Sequence, residues 1–229
     1  MAAERIIGML IFPRLTQLDM TGPYEVLARL PNTRVHLIAH SMAPVKTDRG
    51  MEIVPTVTLA DCPQLDLVMV PGGPGQQDLM EDAAVLEFLR KQAAVAKYVT
   101  SVCTGSLVLG AAGLLKGKRA TCHWAAIEHL NPLGAIPVSE RVVMDGNIIT
   151  GAGVASGIDF ALAVAAILEG EDVAKQIQLQ IEYDPSPPFQ SGSTRTASAE
   201  TVALLRSRGA ALNEQRRAVS ERVGKKLGV

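Results

Sequence analysis

In the first two-thirds of the chain, short apolar-rich runs of strand length are separated by stretches with helical spacing. Residues 5–12, RIIGMLIF, form one such run, and residues 33–40, TRVHLIAH, a second. Residues 65–73, LDLVMVPGG, form a third, stopped by Pro71, Gly72 and Gly73, and residues 97–102, KYVTSV, a fourth. Each has strand length. Between them, TGPYEVLARL (21–30) reads as a short helix with Thr21 as cap and Pro23 in its first turn. AAVLEFLRKQAAV (83–95) is amphipathic, and TGSLVLGAAGLL (104–115) is a helix of small residues. Strands that are apolar throughout and alternate with helices predict a parallel sheet covered on both faces.

Further along, RVVMDGNIIT (141–150) places two apolar runs around Asp145, Gly146 and Asn147, which predicts a hairpin. GVASGIDFALAVAAILEG (153–170) predicts a long apolar helix, and EDVAKQIQLQIEY (171–183) a shorter one. DPSPPFQSGS (184–193) breaks the pattern with three prolines and reads as an extended linker. From about residue 196 the tail is charged and helical, and it has too few apolar positions to bury much alone. The expected division is an α/β domain over 1–184 and a linker with helical extension over 185–229. That extension should pack on the core or on a partner subunit.

Composition narrows the function. Among 229 residues, aromatics make up 3% and the net charge is −1, which argues against a base-stacking or phosphate-binding surface. No run is long enough to span a membrane. Cys62, Cys103 and Cys122 form an odd set without a secretion signal, so free thiols in the cytoplasm are expected. His36 and His40 lie four apart on a predicted strand, roughly 13 Å from each other, too far to share a metal. Neither metal nor organic cofactor is expected.

Cys103 is the chemically conspicuous residue. It follows a strand and precedes a helix, at the carboxyl edge where parallel sheets bind ligands. The helix N-terminus should favour thiolate over thiol there, by ~1 pKa unit or more. Gly105 leaves room for a sharp turn, as in a nucleophile elbow. Cys62, in LADCPQLD, and Cys122, in ATCHW, lack that setting and read as structural or incidental.

TSVCTGSLVLGAAGLLKGKRATCHW resembles the cysteine elbow of the ThiJ/PfpI family, within the class I glutamine amidotransferase-like superfamily. VMVPGGPG resembles that family's loop after the third strand, and PRLTQLDMTGPYEVL (13–27) resembles its isocyanide hydratase branch. The likeness runs in one register from about residue 6 to 189. It implies a flavodoxin-like three-layer sandwich, and a homodimer that turns an isocyanide into an N-substituted formamide. Neither nucleic acid nor membrane would be a partner. Cys103 would be the nucleophile and Asp19 the proton donor. The Thr104 and Gly73 N–H groups, with Gly72 beside them, would form an anion hole. Ala152 and Val154 would line the pocket, and similar hydratases often have glycine where Ala152 stands. His123 would have a structural or supporting place. A peptidase, amidase or glyoxalase-like enzyme built on the same thiol remains an alternative, as does a ligand-sensing domain. A His123–Cys103 bond would favour hydrolysis, and Asp19 alone beside the sulfur would favour hydration.

Overall fold

The computed structural model describes residues 4–229, and across them strand and helix alternate much as the apolar runs predict. In chain order come β1 (Arg5–Leu10), α1 (Gln17–Leu27) and β2 (Thr33–Ala39), then the short strands β3 (Val45–Lys46), β4 (Glu52–Ile53) and β5 (Val57–Thr58). β6 (Leu67–Val70), α2 (Gln76–Leu79), α3 (Ala83–Ala93), β7 (Tyr98–Val102) and α4 (Gly105–Ala111) follow. After β8 (Arg119–Ala120), a 3-10 turn at Ile127–Leu133 and β9 (Ile136–Pro137) come the hairpin β10 (Val142–Asp145) and β11 (Ile148–Gly151). α5 (Ser156–Glu169), α6 (Glu171–Gln180) and α7 (Ala199–Leu227) complete the order.

Seven strands form the main sheet in the order β10-β11-β7-β6-β1-β2-β5. All neighbours are parallel except β10 with β11, the hairpin predicted around Asp145 and Gly146. β6 is buried along its whole length, which is why it reads as continuous LVMV rather than as an alternation. Helices flank the sheet: α1 packs on α5 and α5 on α6, while α3 packs on α4 and α4 on α7. The register aligns Val70 with Ser101 and Val102 with Gly151. The turns that follow β6, β7 and β11 therefore emerge side by side at one sheet edge, with the start of α1 beside them.

Two expectations change. α1 starts a turn earlier than predicted, after Thr16, whose backbone is extended. Thr21 is no cap; its hydroxyl donates back to Gln17 Oε1 at 2.7 Å. Pro23 thus lies in the helix interior, where its missing N–H deprives the Asp19 carbonyl of its usual partner. Its ring packs on Gly157 of α5. The charged tail forms one long helix, α7, capped by the Ser198 hydroxyl, which accepts from the Thr201 N–H at 3.1 Å. It buries a single stripe, Arg216, Ser220, Val223 and Gly224. At Gly224 the helix backbone comes so close to the Pro132 carbonyl that any side chain would collide with it. Arg222 forks onto Glu81 at 2.9 and 2.6 Å. Among the described residues, no helix is long and apolar enough to cross a membrane.

Candidate active site

Cys103 sits at the turn between β7 and α4 with φ at +58°, a left-handed conformation that costs a β-carbon residue energy. Two carbonyls hold it there: the Cys103 N–H donates to Gly151 O at 3.0 Å and to Ala152 O at 2.8 Å. α4 can start so close to β6 because Gly105 has no Cβ to strike the Val70 carbonyl. The elbow predicted from sequence is present, and its sulfur residue is only 5% exposed.

Asp19, in the first turn of α1, is fully buried beside it. Its Oδ2 accepts the Gly72 N–H at 3.1 Å, and its carboxyl lies beside the Cys103 thiol, so that each group acts on the proton affinity of the other. Oδ1 has no hydrogen-bond partner among the described residues. Burial pushes the Asp19 carboxyl up to about 7, and the nearby Asp48 adds to the rise. Contacts with Cys103 and Gly72 oppose it.

The thiol is held well above its ordinary value, first by burial, then by the charges of Asp19 and Cys122. This corrects the expectation of a resting thiolate. α4 has only seven residues, so its dipole is a small influence beside complete desolvation. The Thr104 N–H, which favours the charged sulfur, pulls the other way and does not win. Burial thus raises the proton affinity of both the thiol and the carboxyl.

The glycine loop is committed elsewhere. Gly72 serves Asp19, and the Gly73 N–H donates to Thr104 Oγ1 at 3.1 Å rather than standing open as an anion-hole donor. The loop thereby locks the carboxyl and the residue after the nucleophile into one frame. Ala152 and Val154 line a cavity of about 340 Å³ together with Cys122, His123 and Trp124. A larger cleft of about 620 Å³ lies between α3 and α7 and touches none of the predicted site residues.

His123 is engaged elsewhere than the sulfur. Its Nδ1 accepts the Ala125 N–H at 3.3 Å, and its ring lies 5.6 Å from that of Trp124. Burial and the charge of Arg216 push it down to about 4, so it is neutral at pH 7. The groups acting on the Cys103 thiol are Asp19, Cys122 and the Thr104 N–H. His36 bonds Thr56 and His40 bonds Asp82, and among the described residues no group of three His, Cys, Asp or Glu could hold a metal.

Sequence reasoning missed two neighbours of this site. Cys122 is fully buried, pushed up to about 11 by burial, and close enough to act on Cys103 electrostatically. Cys62 lies apart in its loop, its sulfur on the Pro63 carbonyl. Arg216 of α7 is 8% exposed, and its Nε donates to Gln76 Oε1 at 3.0 Å. Among the described residues it has no carboxylate partner, and its field reaches Cys122 and Cys103. The available signal was the spacing of Arg216, Ser220, Val223 and Gly224, one face of a helix carrying small residues.

Comparison with known proteins places this geometry in context. The DJ-1/PfpI family model matches residues 5–167. An isonitrile hydratase of Pseudomonas putida is 55% identical over 97% of this chain and 98% of its own length. A glutathione-independent glyoxalase of Caenorhabditis elegans, DJR-1.2, is 30% identical over 75% of this chain and 93% of its own. The crystal structure of a ThiJ/PfpI family protein from Pseudomonas syringae superposes with a TM-score of 0.93 at 43% identity, covering 95% of this chain and 91% of that one.

Proposed function

The chain belongs to the DJ-1/PfpI family, and from that premise we propose that it is an isocyanide hydratase, a lyase that adds water to an isocyanide to give an N-substituted formamide. The observation that carries this reading is the buried pairing of Asp19 with the Cys103 thiol at the elbow, with His123 engaged elsewhere. The near full-length similarity to the Pseudomonas putida isonitrile hydratase supports the same substrate class.

The chemistry follows from one shared proton. As the sulfur gives its proton to the Asp19 carboxylate, it becomes able to attack the terminal isocyanide carbon. Asp19, poised near 7, passes that proton to the same carbon as the C–S bond forms. The product is a thioimidate, R–N=CH–S, on Cys103. Water then adds to the carbon; the Asp19 carboxylate takes one of its protons and hands it to the nitrogen. Collapse of R–NH–CH(OH)–S breaks the C–S bond, returns the hydroxyl proton to the sulfur by way of Asp19, and releases R–NH–CHO. The Thr104 N–H steadies the sulfur as it gains and loses charge, while Gly72 and Gly73 keep Asp19 and Thr104 in register. Electrons move only in pairs between carbon, sulfur, nitrogen and oxygen.

On this reading residues 1–184 form the catalytic unit and 185–229 an extension laid on it. The enzyme works as a cytoplasmic homodimer on a small-molecule isocyanide, without metal, organic cofactor, nucleic acid or membrane. Incubation with an alkyl or aryl isocyanide should yield the matching formamide, and Cys103→Ala should abolish it. Full turnover in that variant would remove the proposal.

A further inference from the structure

Arg216 is a buried cation whose hydrogen-bond partners are neutral. Its Nε donates to Gln76 Oε1 at 3.0 Å and its Nη1 to Asn213 Oδ1 at 3.2 Å. Among the described residues no carboxylate pairs with it, although a charge taken out of water ordinarily needs one. A guanidinium keeps its proton at any pH the protein meets. The setting of this side chain is built. Ser220, one turn on, is fully buried, and at Gly224 the backbone of α7 meets the Pro132 carbonyl. Arg216 therefore faces the core. Gln76 opens α2, directly after the glycine loop, and is fully buried. Its Nε2 donates to the Met80 sulfur at 3.1 Å, which leaves Oε1 for the arginine. From Gln76 the contacts run on to the elbow. The Gln76 N–H donates to the Gly73 carbonyl at 3.2 Å, and the Gly73 N–H to Oγ1 of Thr104, the residue after the nucleophile, at 3.1 Å.

We propose that Arg216 supplies the counter-charge for the Cys103–Asp19 pair once that pair has lost one of its two protons. The extension, which lies outside the 5–167 matched by the family model, thereby completes the active site. The inference rests on the hydratase reading and adds a positioning residue to it: Arg216 acts through the pair and not on the reacting atoms. A thiol and a carboxyl that burial keeps protonated cannot start the reaction. A fixed positive charge in the same core favours the singly deprotonated pair, which can. The charge of Arg216 reaches Cys122 and Cys103, and it disfavours protonation of His123 and His129. Both histidines are held below their ordinary value, so among these groups Arg216 carries the positive charge at neutral pH. Asp48 acts on Asp19 in the opposite sense.

Alkylation of Cys103 by iodoacetamide, followed against pH by peptide mapping, reads the pair without any isocyanide. A unit charge about 10 Å away, at an effective dielectric constant of about 20, moves a titration by about one unit. Arg216→Gln should therefore move the Cys103 profile up by about one unit. Gln76→Glu should do the same, because it keeps an acceptor for Nε but sets a carboxylate against the guanidinium. It leaves Arg216 in place, so it tests the charge even where Arg216→Gln folds poorly. Arg216→Lys should recover about half or more of the shift. Arg222→Gln removes the fork onto Glu81 and loosens α7 without changing the charge at Arg216. That variant should be less stable with its profile in place. In turnover, Arg216→Gln should lose about tenfold in kcat/KM at pH 7 and regain it about one unit higher, which a merely damaged site would not. A profile unmoved in both Arg216→Gln and Gln76→Glu, or moved as far by Arg222→Gln as by Arg216→Gln, would overturn the proposal. If no isocyanide were hydrated, the hydratase reading would fall, while the labelling would still decide whether Arg216 charges the pair.

Discussion

Replacing Asp19 by Asn should make the protein slower and, above neutral pH, more stable. The carboxyl moves from 3.8 to about 7 on folding, a rise of about 3 units. At about 1.36 kcal/mol per unit, that is on the order of 4 kcal/mol of difference between its two charge states. The sign runs against the usual carboxylate. A raised value means that the folded state holds the proton more tightly. Stability therefore falls as pH rises from about 4 to about 7, and the whole loss is present above that. Asn cannot ionise and escapes the loss. Its amide can still accept from Gly72, but its NH₂ is left in a buried site, which costs about 1–3 kcal/mol. The net gain at pH 8 is roughly 1–3 kcal/mol, to be read by urea unfolding, and the slope of stability between pH 4 and 7 should flatten. Turnover should drop by about 10²–10⁴, the usual worth of a positioned acid–base group. The Cys103 thiol, freed of the neighbouring charge, should alkylate at lower pH than in the parent. A variant that is less stable at pH 8 with the pH slope intact, or turnover within tenfold of the parent, would refute the reasoning.

Three further outcomes follow from the same geometry. kcat/KM in the parent should rise through a pH near 7 as the pair gives up the first of its two protons and keeps one to share, and that inflection should vanish in Asp19→Asn. His123→Asn should keep turnover within about tenfold, whereas a histidine acting as base for the sulfur would cost about 10³ or more. Arg216→Gln should move the alkylation profiles of Cys103 and Cys122 to higher pH and raise the His123 titration, both visible by NMR and thiol labelling. Arg216→Lys should restore part of each shift.

The parts that could be read from sequence are those whose signal is local. β1 and β6 were legible because strands buried on both faces show near-continuous apolar runs, β7 because its Tyr, Val and Thr favour a strand, and the β10–β11 hairpin because Asp145-Gly146 marks its turn. Cys103 was legible as an elbow because a strand, a cysteine and a glycine-opened helix occur in line. Two-residue strands such as β3 and β8 have no period to detect. The start of α1 was misplaced because Pro23 and Thr21 carry a strong first-turn signal, while the helix begins at an unremarkable Gln17. The proton state of Cys103 could not be read at all, since it depends on burial that only packing creates. Arg216 was hidden for the opposite reason: in a charged helix one arginine looks like its neighbours until the helix is laid on the core. The use of Gly73 depended on a hydroxyl from another turn, Thr104, 31 positions away.

The central claim is that isocyanide carbon becomes bonded to one particular sulfur. The most direct measurement is intact-protein mass spectrometry of acid-quenched enzyme during turnover at saturating isocyanide, followed by peptide mapping. The account predicts a species heavier by the mass of one isocyanide, carried on the peptide with Cys103 and lost as formamide accumulates. Turnover with no such adduct, or with the added mass on Cys62 or Cys122, would contradict it.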